Sequence, residues 1–312
     1  MDDGADVISY GRPSMSDGPT ACWRMNSGRS IELTAPVVMG ILNTTPDSFH
    51  EGGRLLDPEA ALARALEMSA QGACIIDVGG ESTRPGADRI SPDEQIRRTE
   101  PVIKALRAVS EVMISIDTTS GVVALAALEA GADIINDVSG GEEDPALLDV
   151  AATTGAGLVL MHRTLPPDQD VYSHLHRTEP DYGPDGVVSA VRHGLEAIVA
   201  RALAAGVSST QIVLDPGFGF GKSVAQNFEL LHSLGSLIPR GVPQIPLLAG
   251  LSRKSFLGAA LGDRPVDGRL AGSLAAALIA AQGGASIIRT HDVLETVDAL
   301  KILTASEKTK NC

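Results

Sequence analysis

The chain is short of aromatic residues, of cysteine and of positive charge. Only 3% of its 312 residues are Phe, Trp or Tyr. Ala, Val, Leu and Ile must therefore fill the core, which suits the layered interior of a parallel barrel. Three cysteines, Cys22, Cys74 and Cys312, lie far apart. Their spacing argues against a disulfide framework or a cysteine metal site and points to a reducing, cytoplasmic compartment. Lys and Arg number 25 against 39 Asp and Glu, a net charge of −14. Nucleic acid and anionic membrane surfaces are poor partners for that balance, and an anionic substrate would need local cations. No apolar run is long enough to span a bilayer. The opening MDDGADVISYGRPS is acidic and lacks the apolar centre expected of a secretory signal.

What is present is a repeated pattern. Eight short apolar runs each lead into polar residues. VVMGIL ends at Asn43, and CIIDVGG contains Asp77 and leads to Glu81. MISID ends at Asp117, and IIND at Asn136 and Asp137. LVLMH ends at Met161 and His162, and IVLD at Asp215. PLLAGLSRK ends at Ser252 and Lys254, and IIRTHD at Arg289, His291 and Asp292. Ala/Leu-rich stretches with helical spacing separate the runs. This predicts an α/β fold, a (β/α)8 TIM barrel that gathers polar groups at one rim. Such a barrel typically needs about 250 residues. An open, doubly wound sheet would build its site from only a few strands.

Residues 1–20 are rich in Gly, Asp and Ser and are expected to be a frayed extension. The barrel is expected over 21–306, with 307–312 as a tail. Residues 23–33 read as a hairpin, turning at Asn26-Ser27-Gly28, that plugs the bottom of the barrel. Asp57-Pro58, Ser91-Pro92, Ser120 and Asp144-Pro145 mark helix starts, and Gly72, Gly131 and Gly155 mark ends. Polar connections over 43–56, 79–92 and about 163–186 are long enough to serve as functional loops.

The segment MGILNTTPDSF (39–49) carries the most specific signal, and it resembles the signature of dihydropteroate synthases. IIDVGGESTRPGA (75–87), ISIDTT (114–119), IINDVSG (134–140), LVLMH (158–162), LDPGFGFGK (214–222), GLSRKSFLG (250–258) and IIRTHDV (287–293) match in the family's order. The resemblance spans about residues 23 to 301. It implies condensation of p-aminobenzoate with 6-hydroxymethyl-7,8-dihydropterin pyrophosphate, releasing pyrophosphate, in folate synthesis. That reaction needs positive charge around the diphosphate and negative charge near the pterin.

The resemblance also implies roles. Asp117, Lys254, Arg289 and His291 are the expected catalytic residues. Asp117, Asn136, Met161, Asp215, Gly219 and Lys254 are expected at the pterin. Asn43, Arg289 and His291 are expected at the pyrophosphate, where a guanidinium can bind phosphate bidentately. Asn43 is the expected ligand for Mg2+, a hard cation that bridges phosphate oxygens. Phe49, Thr83, Arg84, Pro85, Phe220 and Ser252 are expected at p-aminobenzoate, in loops that close to exclude water. The family also implies a homodimer, for which the Ala-rich stretch 271–282 offers a face. The same stripe would equally serve helix–barrel packing.

Other residues have plainer readings. Asp137 reads as a structural carboxylate near a helix start. Asp77 reads as a buried carboxylate bonded to backbone, and with Glu81 it is a supporting candidate only. GFGFGKS falls short of a nucleotide phosphate loop because Pro216 stands where that pattern requires Gly. Lys222 is expected to be solvated and Cys74 to be a buried apolar residue. His174 and His176 read as surface residues rather than metal ligands.

The first loop departs from the family's commoner pattern. Thr44 stands for an aliphatic or small residue, and His50-Glu51 for Ser-Asp. Selectivity between p-aminobenzoate and sulfonamides, including a sulfonamide-insensitive variant, therefore stays open. Two rivals share the pterin carboxylates: a pterin-dependent methyltransferase and a non-catalytic pterin-binding homologue. The STRPG, SRKSF and Arg-x-His segments argue against both.

Overall fold

Along a β-strand, side chains alternate between the two faces. The eight apolar runs obey that rule, and the alternation builds the molecule. The computed structural model describes residues 22–25, 28–44, 58–239 and 245–308. Its barrel strands are β3 (Val37–Asn43), β4 (Ile75–Gly79), β5 (Met113–Asp117), β6 (Ile134–Asp137), β7 (Gly157–Met161), β8 (Ile212–Asp215), β9 (Leu247–Gly250) and β10 (Ala285–Thr290). They are parallel and close in the order β10-β3-β4-β5-β6-β7-β8-β9. The expected closed barrel is the observed one.

One frame of each strand faces the helices. Val38, Ile76, Ile114, Ile135, Leu158, Ile212, Ala249 and Ile288 join the large outer core. The other frame faces the barrel axis. Met39, Ile75, Met113, Ile134, Val159, Val213, Leu248 and Ile287 form a separate inner cluster, one residue from each strand. Two positions further along the same frame come Ile41, Asp77, Ser115, Asn136, Met161, Asp215, Gly250 and Arg289. The lower interior is thus wholly apolar, and the next level up carries the polar groups.

A hairpin of β1 (Cys22–Arg24) and β2 (Ser30–Glu32) closes the bottom. Trp23, Met25, Ile31 and Leu33 join the inner cluster. Trp23 is fully buried, and its indole N–H donates to the Gln211 carbonyl at 2.6 Å. This is the expected plug. Asn26 and Ser27 of its turn lie outside the described residues, as do the 1–20 extension and Asp57.

The helices are α1 (Pro58–Ala70), α2 (Pro92–Val109), α3 (Gly121–Glu129), α4 (Ala146–Thr154), α5 (Gly186–Ala204), α6 (Val224–His232), α7 (Ser255–Ala260), α8 (Leu270–Gln282) and α9 (Val293–Lys308). Their signals are local. Ser91 caps α2 by accepting from Glu94 N at 3.3 Å. Asp144 accepts from Ala146 N at 3.1 Å and from Gly121 N at 2.7 Å, so one carboxylate serves the starts of α4 and α3. The last helix continues to Lys308, past the boundary expected at residue 306. No helix among the described residues is long and apolar enough to cross a membrane.

One expectation needs correction. Cys74 is exposed, because it precedes β4 at the bottom edge of the barrel, before the alternation of that strand begins. In α8 only part of the Ala-rich stretch packs against the barrel, since Ala271 and Ala275 are exposed. Ser273, Ala276, Ala277 and Ala280 are buried, while Leu270 and Ile279 face outward.

Removing the plug's anchor tests this architecture. Trp23→Ala is expected to cost about 3–5 kcal/mol of stability, read from urea or guanidinium unfolding. A loss below about 1 kcal/mol would show that the hairpin is not part of the cooperative core.

Candidate active site

Because inward positions recur every second residue, the polar groups converge just above the apolar layer. At their centre is Arg289 of β10. Its Nε donates to Asp77 Oδ2 at 2.7 Å, and its Nη2 donates to Asp117 Oδ2 at 2.7 Å. Asn136 Nδ2 donates to the same Asp77 oxygen at 3.0 Å. Three strands, β10, β4 and β5, therefore meet at one guanidinium, and β6 joins them through Asp77. Two carboxylates share one cation, which leaves one excess negative charge in a buried place. The consequence falls on Asp117. Burial, helped by the charges of Asp77, Asp137 and Glu81 and opposed by Arg289, raises its carboxyl to about 7. Its Oδ1 is buried and has no partner among the described residues.

Asp77 is thus no carboxylate bonded to backbone, as its sequence context implies. It sits in the inward frame between Ile75 and Gly79 and binds two side chains of the site. Period-two counting from the apolar inner layer would have placed it here. Nε and Nη2 of Arg289 are thus engaged by carboxylates of two strands.

The opposite side of the mouth is cationic. Lys254 caps the start of α7, and its Nζ lies 4.2 Å from the centroid of the Phe220 ring. Burial lowers its ammonium to about 8, against the pull of Asp215. Asp215, at the end of β8, accepts from Gly217 N at 2.7 Å, and burial raises its carboxyl. Met161 packs with Val138 and Phe220 in a small apolar cluster beside this group.

The glycine loop after β8 is held from below. Lys222 is completely buried, not solvated. Its Nζ donates to Gly217 O at 2.8 Å and Phe220 O at 2.9 Å. Side-chain-free glycines leave these carbonyls accessible, and a buried ammonium needs such acceptors. Burial nevertheless lowers Lys222 to about 7. His162, beside it, is pushed down to about 3 by burial and by that charge. Gly217 has φ +72°, and a Cβ there would lie 1.9 Å from His162 O. Asn227 of α6 accepts from Gly219 N at 2.7 Å and completes the anchor.

After β9 and β10, Ser252 and His291 form one unit. His291 N donates to Ser252 Oγ at 3.2 Å, and its Nδ1 lies 3.0 Å from the same oxygen. Burial and the neighbouring Arg289 and Arg253 hold this imidazole down at about 3, so it is neutral. Arg253 stands at φ +58° and pairs with Asp292 through Nε at 3.1 Å, tying the two loops together. Sequence reasoning passed over Arg253, because its role depends on a partner 39 residues away.

The remaining expected residues fall as follows. Asn43 ends β3 beside Gly79: a Cβ on Gly79 would lie 3.5 Å from Asn43 Oδ1 and 3.6 Å from Asp117 Cβ. Thr44 is buried, its hydroxyl donating to Gly79 O at 3.0 Å, which accounts for a polar residue there. Thr83 and Pro85 are half-buried and Arg84 exposed in the loop after β4, and Gly86 N of that loop donates to Pro167 O at 2.8 Å. Phe49, His50 and Glu51 lie outside the described residues. Asp137 is structural but caps no helix: it accepts from Ser139 N at 2.7 Å and Gly141 N at 2.6 Å in its own loop, and α4 begins only at Ala146. His174 is exposed and His176 half-buried.

Among the described residues no group of three His, Cys, Asp or Glu gathers to hold a metal. Mg2+ asks for less, because it commonly takes one or two protein oxygens and completes its shell with phosphates and water. The Asn43 amide oxygen, at the end of β3, and the unpartnered Asp117 Oδ1, at the end of β5, are oxygen donors that flank Gly79 of β4 and suit such an ion.

Comparison with known proteins agrees with this geometry. The family model described as "Pterin binding enzyme" matches residues 39–291. The chain is 47% identical over 277 residues to a dihydropteroate synthase of Mycobacterium leprae, covering 87% of this chain and 94% of the relative. It is 43% identical over 283 residues to that of Escherichia coli, covering 91% and 96%. A solved Xanthomonas albilineans dihydropteroate synthase with 4-aminobenzoic acid superposes with a TM-score of 0.82 at 42% identity, covering 93% of this chain and 99% of that one. A Burkholderia cenocepacia dihydropteroate synthase complexed with 7,8-dihydropteroate gives 0.81 at 42% identity, covering 94% and 98%. The chain belongs to the dihydropteroate synthase family of pterin-binding enzymes.

Proposed function

We propose that this chain condenses p-aminobenzoate with 6-hydroxymethyl-7,8-dihydropterin pyrophosphate at the barrel mouth. The bond from the pterin methylene to the diphosphate oxygen breaks, and its electron pair leaves with the oxygen. The amine nitrogen supplies the pair for the new C–N bond and sheds one proton. The observation that carries this reading is Arg289 shared between Asp77 and Asp117, two carboxylates on one cation. Their excess negative charge opposes a methylene that becomes positive as the leaving group departs.

Asp117, Asn136 and Asp215 accept from or match the amino and ring N–H groups of the pterin, and Lys254 donates to its carbonyl edge. Met161 lies against the ring, and Gly219 lets the backbone approach it. Arg289, Asn43 and neutral His291 meet the diphosphate. Asn43 and Asp117 would hold Mg2+, which when bound neutralises charge on the leaving oxygens. Thr83, Arg84, Pro85, Phe220 and Ser252 form the p-aminobenzoate side, with Phe49 from the first loop. The free thiols of Cys22 and Cys74 fit a cytoplasmic setting. Leu270 and Ile279 of α8, with Leu294 and Ile302 of α9, expose apolar area that fits a homodimer contact, and sedimentation at micromolar concentration tests it.

Pyrophosphate release that depends on p-aminobenzoate is the direct assay. Release at the same rate without it would reject the synthase reading. Asp117→Asn is expected to lower kcat/KM for the pterin diphosphate about 100- to 1,000-fold, and full turnover in that variant would remove Asp117 from catalysis.

The protonation states predict a narrow pH profile. Asp117 is raised, so its carboxylate form exists above about 7; Lys254 is lowered, so its ammonium form exists below about 8. The kcat/KM for the pterin diphosphate should fall on the acid side as Asp117 gains a proton, and on the alkaline side as Lys254 loses one. Asp117→Asn should abolish the acid limb. A wild-type profile flat from about pH 6 to about pH 9 contradicts the assignment.

A further inference from the structure

Three rim loops meet at a carboxylate on a fourth, outside the residues given roles above. Glu143 lies between β6 and α4. Its Oε2 accepts from Arg89 Nη2 at 2.6 Å and from Thr119 Oγ1 at 2.5 Å, and its Oε1 accepts from Arg89 Nη1 at 3.1 Å. Arg163 Nη2 bonds to Oε1 as well. Arg89 belongs to the loop after β4 that carries Thr83, Arg84 and Pro85. Thr119 follows Asp117 at the end of β5, and Arg163 follows His162 at the end of β7.

The same loop is tied at two further points. Glu81 accepts from Ile90 N at 2.8 Å and lies 3.6 Å from Arg89 Nε, which closes residues 81–90 into a ring. At the tip, Gly86 N donates to Pro167 O at 2.8 Å. Arg89 is thus the only side chain among the described residues seen to pin this ring to the β6–α4 loop.

Single surface ion pairs hold little. This one differs in being bidentate and in sharing its carboxylate with a second arginine and a hydroxyl. Burial alone would raise the Glu143 carboxyl, but the bonds from Arg89, Thr119 and Arg163 outweigh it and hold the group at about 2. The latch therefore stays charged at any pH near neutrality. Arg163 is nearly enclosed, with a side-chain exposure of 6%, so the barrel end of the latch is rigid.

We propose that Glu143 is a positioning residue for p-aminobenzoate: through Arg89 it holds the 81–90 loop over the mouth, so that Thr83, Arg84 and Pro85 meet that substrate. This rests on the functional reading above, which places p-aminobenzoate at that loop. Glu143 itself does not touch the substrate. Its removal should act on one KM and leave the chemical step nearly intact.

The test is two-substrate steady-state kinetics on the full chain with Glu143→Gln, Arg89→Met and the double variant. Glu143→Gln keeps the side chain's size and removes its charge. Each single variant is expected to raise KM for p-aminobenzoate about tenfold. KM for the pterin diphosphate and kcat should stay within about threefold. The double variant should fall short of the product of the two single effects, because both break the Arg89–Glu143 contact while each also loses contacts of its own, with Glu81 for Arg89 and with Thr119 and Arg163 for Glu143. Should Glu143→Gln fail to fold, Arg89→Met carries the test, since it leaves the Glu143, Thr119 and Arg163 contacts in place.

Unchanged KM for p-aminobenzoate with a lowered Tm would make Glu143 a mere brace and overturn the proposal. A rise confined to the pterin diphosphate KM would overturn it too, by giving the loop to the other substrate. Wild-type chain that releases no pyrophosphate in response to p-aminobenzoate would reject the functional reading, and this proposal with it.

Discussion

The guanidinium of Arg289 between Asp77 and Asp117 is the contact on which the site depends. It joins the last barrel strand to the second and third, so it exists only when the barrel has closed. A buried charge must be paired, and breaking one partner of such a pair leaves the other stranded. Here one cation serves two carboxylates, with the Asn136 amide completing the set. Burial raises Asp117, and the charges of Asp77, Asp137 and Glu81 add to it against the pull of Arg289. The folded protein thus stores an unbalanced negative charge where the proposed reaction generates a positive one.

The other half of the mouth works by the same physics with the sign reversed. Lys222 is fully buried and Lys254 half-buried, both feel the charge of Asp215, and burial lowers both ammonium groups. Lys222 spends its donors on the carbonyls of Gly217 and Phe220. It therefore sets the path of the loop that brings Phe220 under Lys254. The Ser252–His291 pair adds a neutral imidazole rather than a third cation. Below all of this lies the dry layer from Met39 to Ile287, capped by Trp23, which keeps water from entering at the bottom.

Much of this was legible in the chain. The eight runs, the plug hairpin and the helix boundaries at Ser91, Asp144 and Gly155 rest on alternation, capping and turn chemistry, which are local properties. The runs lead into polar residues at their ends, and Asn43, Asp117, Asn136, Asp215, Lys254, Arg289 and His291, whose roles the family resemblance implied, all lie at one end of the barrel. What was misread shares one cause. Lys222 looked solvated because lysine usually is, and Asp77 looked subordinate because its partner Arg289 lies 212 residues away. Glu143 drew no notice because its value lies in whom it meets.

Sequence alone determined the order of elements, the frame that faces the axis and the identity of the groups delivered to the rim, since periodicity and turn preference act over a few residues. Tertiary structure alone decided which of those groups touch, which are dry and which carry charge. Coulomb interaction and desolvation depend on distance and surroundings in space, and barrel closure makes neighbours of residues that the chain keeps far apart.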